Sequence, residues 1–192
     1  MSLVSAKSWG VEQQDVKDLW ESNKHLSSSF GTVVHSALEH YDRFMKLGQT
    51  IQNKREMLEN YAMPKHPILK SFIMRFKAMY DTKYEVIPEA LITDVSGAFC
   101  GHADRILVID GVKKVCRIQD YKINIDSEEI NSKMKAKPPF DHLPANKITK
   151  YQLQMSFYAN LLEKSGWTVE GLDAFVLEDE WKHYKLDVLK VI

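Results

Sequence analysis

The sequence predicts an α/β domain built on a central mixed β-sheet flanked by helices. Three observations carry that reading. Apolar residues recur at helical spacing ahead of Lys83. β-Branched residues then gather in three short runs between Lys83 and Ile123. A further helical stretch separates those runs from a closing pair of extended segments, an order that calls for helices layered on a sheet. At 192 residues, 44% hydrophobic and 27% charged, positions 1–192 read as one globular domain able to bury a full core.

Taken in order, Glu12–Trp20 reads as a short leading helix. Ser27, Ser28 and Ser29 offer N-caps for a helix entered at Phe30, with Val34, Ala37, Leu38, Tyr41 and Met45 on its apolar stripe and His35 at the stripe's edge. A second helix is expected near Gln49–Tyr61, and a third after Pro67 carrying Leu69, Phe72, Ile73, Phe76 and Tyr80 along one side. Strands are expected at Lys83–Pro88, Gly97–Ile109 and Val115–Ile123. Asp126–Lys147, with Pro138, Pro139 and Pro144, reads as an irregular loop. Lys147–Lys164 then forms a long helix stopped at Gly166, and Val169–Leu177 and Trp181–Val191 close the chain as paired strands.

Composition narrows the function only a little. Lys+Arg and Asp+Glu both number 26, so net charge neither supports nor excludes a nucleic-acid partner; acids around metals can cancel a basic groove. There is no apolar run fit to span a bilayer and no signal-peptide pattern, so a cytoplasmic protein without a membrane partner is expected. Cys100 and Cys116 read as buried, reduced thiols. No Walker A phosphate loop is present.

Chemistry concentrates in Gly101-His102-Ala103-Asp104 and Asp120-Tyr121-Lys122, on consecutive expected strands. A strand points Asp120 and Lys122 to one face. Such a pair is equally an exposed ion pair of little energetic consequence. For Asp104 and Asp120 to share a metal they must lie opposite or diagonal on one face of an antiparallel hairpin, and direct opposition is the favoured case. That requires pairing centred on Val112, with a loop from Asp110 to Lys114. A two-residue Asp110-Gly111 turn puts the carboxylates on opposite faces. In the favoured register the two carboxylates offer oxygen ligands to Mg²⁺ or Mn²⁺, and Lys122 stands ready to orient a water or stabilise charge on phosphate oxygens.

These strings resemble the RecB-like branch of the PD-(D/E)XK nuclease superfamily. Gly31-Thr32-Val33-Val34-His35, Glu85, Gly101-x-x-Asp104, Asp120-Tyr121-Lys122 and Gln154-Met155-Ser156-Phe157-Tyr158 stand in that family's order and on its element types. The resemblance implies a restriction-endonuclease-like core with Asp104, Asp120 and Lys122 catalytic, and His35 joining Asp104 and Asp120 as metal ligands. It sets Glu85 near the metals and turns Gln154 and Tyr158 toward the active site, Gln154 bonding near Lys122 or the DNA backbone. It implies a Mg²⁺- or Mn²⁺-dependent deoxyribonuclease, an exonuclease in recombination or repair rather than a site-specific enzyme, because no target-reading module is recognisable. DNA is the expected partner, with a homo-oligomer or a recombination partner protein left open. Some relatives carry a four-cysteine iron–sulfur cluster; two cysteines fit neither its number nor its placement, so none is expected here. The rival reading is a catalytically inactive nuclease-fold module that binds DNA or a protein. His102 is left without a role, and Lys133, Lys135, Lys137, Lys147 and Lys150 are either a solvated set or DNA contacts.

Overall fold

The serines at positions 27–29 lie inside a helix rather than at its start. The computed structural model describes residues 13–50, 64, 67–80, 84–94, 96–123, 134–177 and 180–191. Its first helix, α1, runs unbroken over Gln13–Thr50 and absorbs most of the expected leading segment. Serine disfavours a helix only weakly, and the Ser28 carbonyl additionally accepts the Thr32 hydroxyl at 3.0 Å. The apolar spacing holds, since Val34, Leu38 and Tyr41 are buried. Of the helix expected at Gln49–Tyr61, residues 49 and 50 end α1; positions 51–61 lie outside the described residues. Helix α2 (Pro67–Tyr80) buries Ile73 and Phe76.

Five strands, β1 (Glu85–Thr93), β2 (Cys100–Asp110), β3 (Val115–Ile123), β4 (Thr168–Leu177) and β5 (Trp181–Leu186), form one sheet in that order. Strands β3 and β4 are parallel and the other pairs antiparallel, so the sheet is mixed. Strand β1 runs through Pro88 instead of stopping there, because an edge strand tolerates a residue without an N–H. The start of β2 falls at Cys100, since Gly97 (φ 70°) belongs to a turn in which the Asp94 carboxylate accepts the Phe99 N–H at 3.0 Å. Cys116 is buried as expected, whereas Cys100, at this strand end, is exposed.

The β2–β3 hairpin settles the register. Its turn has four residues, Gly111–Lys114, rather than the five expected. A bulge between Val108 and Asp110 offsets the even count, so Arg105 pairs with Gln119 and Ile106 with Ile118. The next residues in that register are Asp104 and Asp120.

Helix α3 (Lys147–Lys164) has the expected bounds. Asn146 caps it by accepting the Thr149 N–H at 2.8 Å. Gly166 (φ 83°) ends it, with Gly166 N–H to Glu163 O and Trp167 N–H to Leu162 O at 3.0 Å each. This helix is the crossover that joins parallel β3 and β4. After Leu186 the chain leaves the sheet rather than continuing as strand to Val191. Side chains of α3 replace the missing ladder: Ser156 Oγ accepts the Leu189 N–H (3.0 Å) and Asn160 Oδ1 the Val191 N–H (2.9 Å).

Two apolar cores result. One packs α3 through Met155 and Ala159 against Ile106, Ile118 and Leu172. The other packs α1 and α2 against Tyr121, Phe175 and Trp181 on the opposite face. Phe76 stands edge-on to those three rings, each centroid 5.2 Å away. Phe76→Ala is expected to cost about 3–5 kcal/mol in urea unfolding; a loss below about 1 kcal/mol is incompatible with this packing. Among the described residues, no helix is long and apolar enough to cross a membrane.

Candidate metal centre

Side-chain alternation slips by one where β1 and β2 pass the open end of the hairpin. Ala103 and Ile106 both join the α3-side core, although residues three apart on a regular strand face opposite ways. Ile87 and Ala90 do the same on β1. Between them Glu89 takes φ 47°, a left-handed backbone uncommon outside glycine. Pairing of β1 with β2 steps from Pro88↔Arg105 to Ala90↔Ala103, skipping Glu89 and Asp104. The β2–β3 ladder stops at Arg105↔Gln119. Glu89, Asp104 and Asp120 therefore fall in one row across three strands. Freed from regular pairing, the Asp104 carboxylate reaches between strands, and its Oδ2 accepts the Tyr121 N–H at 2.7 Å.

Helix α1 supplies the nitrogen donor. His35 Nδ1 lies 3.5 Å from Asp104 Oδ2, and the imidazole stands edge-on to the Tyr121 ring at 5.8 Å. One turn earlier Gly31 abuts the end of β3: a Cβ there would meet Ile123 Cβ at 3.8 Å. Ligand atoms of His35, Glu89 and Asp104 all lie within 4.8 Å of one another. Beside them Asp120 Oδ2 pairs with Lys122 Nζ at 2.5 Å, and the ammonium sits 4.9 Å over the Tyr151 ring of α3. A cleft of about 580 Å³ opens onto the group, with Ser28, Thr32 and Ser36 of α1 on its wall.

The electrostatics are those of crowded acids. Burial and then the neighbouring Asp120 push the Asp104 carboxyl up to about 8. Burial and Glu39 raise Glu89 as well. Burial and Lys122 lower His35, which favours the neutral imidazole that can donate a lone pair. Burial alone would lower Lys122, but Asp120 and Asp104 hold it above its ordinary value, so it is a fixed cation. One imidazole nitrogen among several carboxylates is a donor set that could hold a divalent cation, whose charge would offset both the burial and the repulsion that raise Asp104.

The structure thus brings together His35, Asp104, Asp120 and Lys122, and places Glu85, Gln154 and Tyr158 elsewhere. Glu85 is exposed and opposite Val108, four residues from Glu89, or roughly 13 Å along a strand. The acid in the row is Glu89, hidden from sequence reading because Pro88 looked like the strand's end. Its signal was the β1–β2 hairpin: pairing centred between Ser96 and Gly97 sets position 89 opposite 104. Gln154 is exposed and donates to the Tyr158 hydroxyl at 3.1 Å; the α3 residue over Lys122 is Tyr151, one turn earlier. The Tyr158 ring fills the space above Gly101, where a Cβ would lie 2.5 Å from Cε1. Gly101→Ala is accordingly expected to displace Tyr158 and cost about 1–3 kcal/mol in chemical denaturation. His102 is exposed, near enough to Glu89 to act on its charge. Lys135, Lys137 and Lys150 are exposed, Lys147 is half-buried, and Lys133 lies outside the described residues.

No family model matches the chain, and no curated protein matches it in sequence. Among solved structures, that of SSO0001 aligns with 80% of this chain at 15% sequence identity and a TM-score of 0.33. The chain spans 66% of that protein's length.

Proposed function

We propose that this protein is a metal-dependent DNA nuclease, an exonuclease serving recombination or repair. The observation that carries the reading is the row Glu89, Asp104 and Asp120, closed on one side by His35 and on the other by Lys122. The arrangement agrees with the motif order that suggested such an enzyme, save that Glu89 stands in for Glu85. His35, Glu89 and Asp104 would hold Mn²⁺ or Mg²⁺, with Asp120 alongside. When bound, the cation supplies a water of lowered pKa and polarises the scissile phosphate. The chain's own residues do the rest. Lys122 stays protonated, so it offers charge and hydrogen bonds to phosphate oxygens instead of removing a proton. Asp120 fixes the ammonium in place, and the Tyr151 ring limits its swing. The cleft beside α1 leaves room for a backbone to approach.

The test is degradation of linear, circular and end-blocked DNA with Mg²⁺ or Mn²⁺. Linear DNA with free ends should be degraded, and Asp120→Asn or Lys122→Ala should slow that by about 10²–10³-fold while leaving the protein folded. Equal digestion by the parent and both variants rules the assignment out.

A further inference from the structure

The residues adjoining the candidate centre form a second group on the face of the sheet that α1 and α2 cover. Asp42, Arg105, Gln119 and Asp173 are each buried, between 3% and 6% exposed. Asp42 pairs with Arg105: its Oδ1 accepts an Nη2–H at 3.1 Å, and its Oδ2 lies 3.0 Å from Nε as an ion-pair contact. Arg105 Nη1 donates to Gln119 Oε1 at 3.2 Å, and Gln119 Nε2 donates to Asp173 Oδ2 at 3.3 Å. Asp173 is anchored further by Arg117 and His183. Phe76 covers the guanidinium, its centroid 5.5 Å from Cζ.

The placement is what gives this network a role. Arg105 directly follows Asp104, Gln119 directly precedes Asp120, and Asp42 lies two helical turns beyond His35 on the same side of α1. Each link therefore ties together the backbones that carry His35, Asp104 and Asp120. A buried ion pair is weak support for stability, because apolar residues of like volume often serve as well. A hydrogen-bonded ion pair on a planar guanidinium does what a non-directional apolar contact cannot: it favours one orientation and one height of α1 over β2. At that height His35 Nδ1 stands 3.5 Å from Asp104 Oδ2.

We infer that the buried Asp42–Arg105–Gln119 network is the positioning element of the centre, setting helix α1 on β2 and β3 so that His35 meets Asp104. Its consequence for metal binding rests on the proposed nuclease reading; the placement of His35 does not.

Asp42→Leu with Arg105→Met removes the pair while keeping an apolar fill, and Arg105→Lys keeps the charge but loses the planar guanidinium that reaches both Asp42 and Gln119. Two readouts follow on folded protein. Nuclear Overhauser contacts between the His35 and Tyr121 rings report the helix position without metal. Mn²⁺ titration reports the centre. The contacts should be lost in the double variant, and the Mn²⁺ dissociation constant should rise about 10–100-fold. His35→Ala should cost as much in the parent but under about twofold in the double variant, because the two act through one placement. Ring contacts preserved in the folded variants overturn the inference, as do Mn²⁺ losses that simply multiply. If the double variant fails to fold, Arg105→Lys decides by the same measurements. If the parent binds no Mn²⁺, the nuclease reading falls and the ring contacts alone decide the positioning.

Discussion

Glu89→Gln is expected to weaken Mn²⁺ binding about 10–100-fold or more, and to slow metal-dependent DNA degradation at least as much, because it removes an oxygen donor and its charge from the row. Glu85→Gln should leave both within about twofold, since that side chain is exposed at the start of β1. The contrast is sharp because the two acids share a strand and differ only in register. The backbone makes a second demand. Glu89 holds φ 47°, a conformation that costs a non-glycine residue on the order of 1–3 kcal/mol and persists at sites where function requires it. Glu89→Gly should therefore unfold no more easily than the parent, and yet lose the metal. Calorimetric Mn²⁺ titration with urea unfolding on the same samples separates the outcomes. Equal Mn²⁺ affinity in the parent and Glu89→Gln would remove Glu89 from the centre.

The parts of this centre that were legible in the sequence are those set by local spacing. Asp120 and Lys122 are two apart on one strand, and the Asp104–Asp120 register follows from a hairpin about Val112, the exposed tip of the turn. Helical periodicity placed His35 at the edge of the α1 stripe, and a single glycine marked the end of α3. What escaped depends on contacts between distant segments. Pro88 reads as a strand terminus until β1 is known to be an edge. Ser27–Ser29 read as caps until α1 is seen to pass through them. Tyr151 and Gln154 occupy neighbouring turns of one helix, and only the tilt of α3 on the sheet selects Tyr151 for Lys122. The Asp42–Arg105 pair spans 63 positions and leaves no local trace beyond polar residues in otherwise apolar runs.

Mn²⁺ affinity is expected to climb with pH by up to about tenfold per unit between pH 6 and 8, and to level off above, because binding must displace one proton from Asp104. The sign follows from the raised carboxyl. In the unfolded chain Asp104 ionises near its ordinary value of 3.8, whereas in the folded protein burial and Asp120 hold the proton to about 8. Between those values the folded state binds the extra proton, so stability without metal declines as pH rises through that window. A cation reverses the penalty, and its rise in melting temperature should be larger at pH 8 than at pH 6. His35 does not account for such a slope, since burial and Lys122 lower it from 6.5 and leave it already neutral over the upper part of the range. Asp173 runs the opposite way. Burial tends to raise it, but hydrogen bonds from Arg117 and His183 prevail and lower it, so its contribution is present above 3.8 and fades in acid. Asp104→Asn should flatten the decline of metal-free stability toward pH 8, leaving only the share of Glu89, which is raised in the same direction, while keeping the loss in acid, an asymmetry that assigns the two limbs to different carboxylates. Calorimetry in two buffers of different ionisation enthalpy counts the released proton directly. A count near zero at pH 7, with affinity flat from pH 6 to 8, means Asp104 is already ionised and neither burial nor Asp120 holds its proton.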